Sequence, residues 1–116
     1  MEKLKHEQIQ YVEFRSRDLY AIKRFYFEAF GWSFTDYGPE YVAFSGDYVD
    51  GGFTPGEPQP GSVLVILYSR DLEATLGKID RAGGVITQKI FSFPVGRRFH
   101  FTDPDGNELA VWSDRE

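Results

Sequence analysis

The tetrapeptide Ser-Arg-Asp-Leu occurs twice, at residues 16–19 and 69–72, and the 53-residue offset between the copies extends well beyond them. At that offset Val12 matches Val65, Phe14 matches Leu67, Ala21 matches Ala74, Ala29 matches Ala82 and Gly31 matches Gly84. A chance match of four letters would not carry these positions along; agreement sustained over a strand, a cap, a helix face and a glycine stop is the signature of an internal duplication. A chain built this way is constrained to two equivalent units packed on one another.

Within each copy the order of elements is legible. Residues 9–16, IQYVEFRS, alternate apolar and polar side chains and are rich in aromatic and β-branched types, the pattern of a half-buried strand. Asp18 then stands as a helix N-cap, Ile22, Phe25, Tyr26 and Ala29 recur at helical spacing, and Gly31 follows as the stop. Short strands are expected at 32–37, 40–46 and 51–54. Residues 45–61 collect five glycines and three prolines and read as a mid-chain crossover, part of which could pair as an edge strand. The second copy repeats the scheme: a strand at 62–69, Asp71 as cap, a helix with Leu72, Leu76, Ile79 and Ala82 on one face, and Gly83-Gly84 as its stop. Three further strands follow at 85–91, 97–103 and 108–113. The expected fold is α+β, two tandem βαβββ modules whose mixed strands form a curved sheet around a cleft. It is one domain over residues 7–113, with repeats at about 7–56 and 62–113.

Composition narrows the class of function. A chain of 116 residues accommodates one core, and its 17% aromatic content argues for a packed globule. Eighteen acidic against thirteen basic side chains give a net charge of -5, which offers no field for a phosphate backbone and argues against nucleic acid as partner. Cysteine is absent, which removes thiolate nucleophiles and Cys-based metal sites. No apolar run approaches a membrane span and the first ten residues lack the apolar stretch of a signal peptide, so a cytoplasmic protein is expected.

The duplication, the residues Asp18-Leu19, Phe25-Tyr26 and Phe30-Gly31-Trp32, and FTDPDGNELAVW at 101–112 together resemble the vicinal oxygen chelate superfamily. That family includes glyoxalase I, bleomycin-resistance proteins, fosfomycin-resistance enzymes and extradiol dioxygenases. The resemblance implies the glyoxalase/bleomycin-resistance fold over essentially the whole chain, dimerisation, and in the enzymatic members a metal site on the concave face. It places the metal-ligand positions on Tyr11, Leu64 and Ala110. Leu and Ala supply no donor, and a phenol that ionises near 10 is an uncommon ligand at neutral pH, so no metal ligand and no cofactor is assigned. The DPDGN segment reads as a turn that marks the fold and does no chemistry.

Of the two histidines, His6 precedes the first strand and reads as a solvated terminal residue. In RRFHFTD, period-two alternation puts Phe99 and Phe101 on the helix side and Arg98 and His100 toward the cleft. Glu13 shares the cleft face with Tyr11, where it is expected to pair with Arg98 or Arg15, or to serve as a base. Ile66, Tyr68 and Trp112 complete a pocket lined by rings and apolar surface, with few convergent polar groups, as small-molecule sites are. The favoured reading is a metal-free homodimer that binds an aromatic or planar small molecule through Tyr11, Leu64, Ile66, Tyr68, Arg98, Ala110 and Trp112. The alternatives are a glyoxalase I-like lyase or isomerase, or a dioxygenase-type enzyme, using a displaced metal or His100 and Glu13 as acid and base. A regulatory or scaffold domain whose cleft is filled by its own side chains is the third.

Overall fold

Both copies of Ser-Arg-Asp build the same junction in the computed structural model, which describes residues 4, 6, 7, 9–61 and 63–115. Ser62, with which the expected fifth strand begins, lies outside the described residues. The backbone N–H of Asp18 donates to Ser16 Oγ at 3.1 Å, and that of Asp71 to Ser69 Oγ at 3.0 Å. Each Asp then accepts at Oδ1 from the third residue onward, Ala21 or Ala74, at 3.1 Å. These bonds satisfy amides that a helix start leaves without internal partners.

The first module is β1 (Tyr11–Ser16), α1 (Leu19–Phe30), β2 (Phe34–Asp36), β3 (Val42–Phe44) and β4 (Asp50–Pro55). The second is β5 (Val65–Tyr68), α2 (Leu72–Ala82), β6 (Val85–Phe93), β7 (Gly96–Thr102) and β8 (Glu108–Ser113). The strands form two four-stranded sheets, ordered β1-β4-β3-β2 and β5-β8-β7-β6. In each, an antiparallel meander brings the last strand back parallel to the first. Both helices end on a left-handed glycine, Gly31 at φ 76° and Gly83 at φ 108°. That conformation costs glycine nothing and any other residue strain.

One expectation is corrected here. The short strand expected at 51–54 is present as β4, but it is neither crossover nor edge: β4 lies between β1 and β3. Its glycines serve close approach. A Cβ on Gly51 would lie 2.4 Å from the Phe44 ring on one face, and a Cβ on Gly52 would lie 2.5 Å from Tyr41 Oη on the other. The true crossover starts after Pro55, where Gly56 and Gly61 take positive φ.

Burial explains how the modules join. Ile22, Phe25, Tyr26 and Ala29 of α1 are buried, as the helical spacing predicts, together with Leu72, Ile79, Phe99, Phe101, Leu109 and Val111 of the second module. Tyr26 stacks on Trp32 at 4.9 Å and packs against Phe53 at 5.3 Å, within its own module. Phe101 reaches across to Phe25 and Phe30, with ring centroids 6.3 Å from each. A buried ring of this size contributes about 1.5–3 kcal/mol through apolar burial.

The DPDGN segment is a turn, and it is also the polar bolt between the modules. Asp103 Oδ1 accepts from the amides of Asp105 and Asn107, at 2.9 and 3.0 Å. Its Oδ2 accepts from Tyr26 Oη at 2.9 Å and Asn107 Nδ2 at 3.1 Å. Asp105 in turn accepts from Ser16 Oγ at 2.6 Å and the Arg17 amide at 2.8 Å, while Asn107 Nδ2 also donates to the Arg15 carbonyl at 3.3 Å. The two copies of Ser-Arg-Asp-Leu therefore differ in their links to the rest of the fold. Ser16 is tied to the opposite module, whereas Ser69 meets Thr75 of its own helix at 2.7 Å.

Candidate functional site

The face of each sheet turned away from the helices carries the expected site residues, and the two faces differ in chemistry. On the first sheet, Tyr11 and Glu13 alternate outward from β1 while Val12 and Phe14 turn inward. Glu13 lies beside Gly52 of β4, and Gly52 beside Ala43 of β3. Because Gly52 has no side chain, the hydroxyls of Tyr11 and Tyr41 meet above it, 2.5 Å apart. Tyr41 Oη donates to Glu13 Oε1 at 2.9 Å. Burial, then the hydrogen bonds to Tyr11 and Glu13, push the Tyr41 phenol well above its ordinary range. Tyr41 therefore stays protonated, spends its single proton on Glu13, and receives the proton of Tyr11. This corrects the expected partner of Glu13, which is Tyr41 and not Arg98 or Arg15.

On the second sheet, register gathers the remaining residues into two rows. Ile66 pairs with Ala110, which pairs with His100. Tyr68 pairs with Trp112, Trp112 with Arg98, and Arg98 with Phe91. The Trp112 ring lies 5.4 Å from Tyr68 and 6.3 Å from Phe93. The Arg98 guanidinium sits over Phe91 and Phe93, with Cζ 5.5 and 5.8 Å from their centroids. Leu64 is half-buried just ahead of β5. As alternation predicts, Phe99 and Phe101 are buried on the helix side.

His100 is only 6% exposed. Its Nδ1 faces Glu108 Oε2 at 3.1 Å, the Phe91 ring lies 6.0 Å away, and its Nε2 is buried without a hydrogen-bond partner among the described residues. His100 and Glu13 therefore stand on different sheets with different partners. His6 is at the surface beside Glu7 at 2.9 Å, away from either face's strands. Between the sheets, a cleft of about 270 Å³ is bordered by Glu13 and Arg15 of β1, by Val63 and Val65, and by Asn107 and Glu108.

The metal positions implied by the family do not suit a divalent ion. The side chains of Leu64 and Ala110 have no donor atoms, and the Tyr11 hydroxyl is spent on Tyr41. Among the described residues no three His, Cys, Asp or Glu side chains are grouped to hold an ion.

Tyr41, Glu108, Phe91 and Phe93 escaped the sequence reading. Alternation in EYVAF and in ELAVWS placed Tyr41 and Glu108 on the cleft faces and was available. For Phe91 no such signal existed, because β6 shifts register between Ile86 and Gln88 and again between Gln88 and Phe91.

The model of the Glyoxalase/Bleomycin resistance protein/Dioxygenase superfamily matches residues 8–111. The chain belongs to this superfamily. Its fold agrees with solved superfamily structures at low identity. A glyoxalase-related enzyme from Fulvimarina pelagi is similar at a TM-score of 0.82 and 22% identity, over 92% of this chain and 88% of that one. A glyoxalase/bleomycin resistance protein/dioxygenase family enzyme from Burkholderia phytofirmans gives 0.81 and 16%, over 90% and 96%. A glyoxalase/bleomycin resistance protein/dioxygenase from Nocardioides gives 0.75 and 16%, over 95% and 85%. A search of curated proteins found no match. The superfamily fold thus accounts for the paired βαβββ modules. Among the described residues no helix is long and apolar enough to cross a membrane.

Proposed function

We propose that this superfamily member binds a planar or aromatic small molecule on its concave face, without a metal ion and as a homodimer. The observation that carries this reading is the ring-lined wall of Tyr68, Trp112, Phe91 and Phe93 around Arg98. Flat rings on a rigid sheet offer stacking area at little entropic cost, and one cation among them supplies orientation. The metal-free part rests on the donor chemistry at Tyr11, Leu64 and Ala110. Homodimerisation is supported by the exposed rings of Tyr20, Phe27, Tyr37 and Tyr48, more aromatic surface than a monomer of this size usually leaves in water.

Protein purified without chelator is expected to carry zinc, nickel, manganese and iron well below one equivalent by elemental analysis, and to melt at the same temperature with and without EDTA. Stoichiometric metal that disappears in Tyr11→Phe overturns the metal-free reading. Calorimetric titration with planar aromatic compounds tests ligand binding, and light scattering tests the dimer.

A second reading, acid–base catalysis, rests on the His100–Glu108 contact, since a carboxylate at Nδ1 orients an imidazole for proton transfer at Nε2. Turnover of any carbonyl substrate that His100→Gln abolishes, with folding intact, favours it over binding alone.

A further inference from the structure

We infer that the ligand of the second-sheet wall is a planar ring acid whose carboxylate is received by Arg98. This deepens the binding function proposed above and rests on it. The starting point is an unpaired cation in an acidic protein. Among the described residues the other half-buried cations have carboxylate partners, Lys23 in Asp36 and Arg97 in Glu73, and the further basic side chains without an ion pair, Arg15, Arg70, Lys78, Arg81 and Lys89, are exposed to water. Arg98 sits mid-strand on β7, half-buried, and among the described residues no carboxylate pairs with it. It sits over two phenyl faces, and its Nε is buried with no hydrogen-bond partner among the described residues.

Two general facts turn this into a statement about the ligand. A guanidinium does not lose its proton at any accessible pH, so the charge cannot be removed to relieve its isolation. Phenyl faces hold the cation by attraction to the ring and fix the plane of the fork, yet leave its N–H donors unsatisfied. A carboxylate is the planar acceptor that matches that fork with two parallel hydrogen bonds.

The surroundings favour an acceptor that comes from outside the chain. The carboxylates bordering the wall are committed, Glu108 to His100 Nδ1 and Asp114 to the Tyr68 hydroxyl at 2.5 Å. Trp112 lies directly across the β7–β8 ladder from Arg98, with Tyr68 beyond it on β5. A ring acid with its carboxylate on Arg98 thus has an indole and a phenol beside it on which to stack. The net charge of -5 works against anions at long range, so recognition has to be local, which a single half-buried arginine provides.

The test is isothermal titration of the full chain with 2-naphthoate and with its uncharged amide, 2-naphthamide. The acid is expected to bind at least tenfold more tightly than the amide. Arg98→Met, which keeps the apolar stem, is expected to abolish that preference, so that acid and amide bind with equal affinity. Arg98→Lys, which keeps the charge and loses the fork, is expected to retain part of it. Circular dichroism confirms that both variants are folded. Equal binding of acid and amide by the wild type overturns the inference and leaves the planar-ligand function standing, as does an acid preference that survives in Arg98→Met. No binding of either compound at millimolar concentration overturns both.

Discussion

Replacing Asp103 by Ala is expected to destabilise the protein by about 3–5 kcal/mol, lowering the melting temperature by roughly 12–20 °C, because the side chain is the sole hub of four buried hydrogen bonds. Its removal leaves Tyr26 Oη, Asn107 Nδ2 and two backbone amides short of an acceptor in a region where Asp103 itself is 3% exposed. Each stranded donor costs about 1–3 kcal/mol unless water reaches it, so the estimate assumes partial hydration of the gap. Guanidinium denaturation measures the loss; a value under about 1 kcal/mol would show that the hairpin does not bolt the modules together.

The same residue carries a pH dependence. Burial raises the Asp103 carboxyl above its usual range, and the donors around it hold it back only in part. The sign follows from linkage. A carboxyl raised in the folded state binds its proton more tightly there than in the unfolded chain. Its contribution is fully present below the unfolded value near pH 4, and is lost as pH rises through the raised folded value. Stability measured upward from pH 4 should therefore contain a declining component that Asp103→Asn removes.

Replacing Phe101 by Ala is expected to cost about 3–5 kcal/mol, the range for deleting a fully buried ring. The ring spans the modules, touching Phe25 and Phe30 of α1, and also packs on its neighbour Phe99. A double-mutant cycle between Phe25→Ala and Phe101→Ala should return a coupling of roughly 0.5–1.5 kcal/mol beyond additivity. A single cooperative unfolding transition is expected in each variant, since the modules share one core. Two separated transitions in Phe101→Ala would mean that each module folds alone.

Between these two effects lies the difference in how much could be read in advance. The burial of Phe101 follows from the alternation of RRFHFTD and from nothing else, so it was accessible to anyone reading the strand. The role of Asp103 was not. In sequence, DPDGN is a turn; its links to Tyr26, Ser16 and Arg15 join residues far apart along the chain, and no local pattern encodes them. Gly51 and Gly52 mislead for a related reason. Glycine signals a loop as readily as a close approach, and only the positions of Phe44, Tyr11 and Tyr41 reveal which applies.

At the candidate site the same division holds. Period-two alternation placed Tyr11, Glu13, Arg98 and His100 on the concave faces without help. The partners were decided elsewhere: Glu13 takes Tyr41, Arg98 takes Phe91 and Phe93, and His100 takes Glu108. Those pairings depend on cross-strand register and on the irregularities of β6, which a one-dimensional period does not contain.

By itself, then, the sequence determined the duplication, the capped helices, the inward and outward faces of the strands, and the absence of side-chain donors at Leu64 and Ala110. These are local or periodic properties, set by side-chain type and spacing along one chain. Tertiary structure alone decided that Gly52 of β4 seats two tyrosine hydroxyls, that a turn aspartate locks the modules, and that among the described residues Arg98 has no carboxylate partner and lies on a bed of rings. Each of these is a meeting of residues from separate segments of the chain, whose free energy arises only once those segments are packed together.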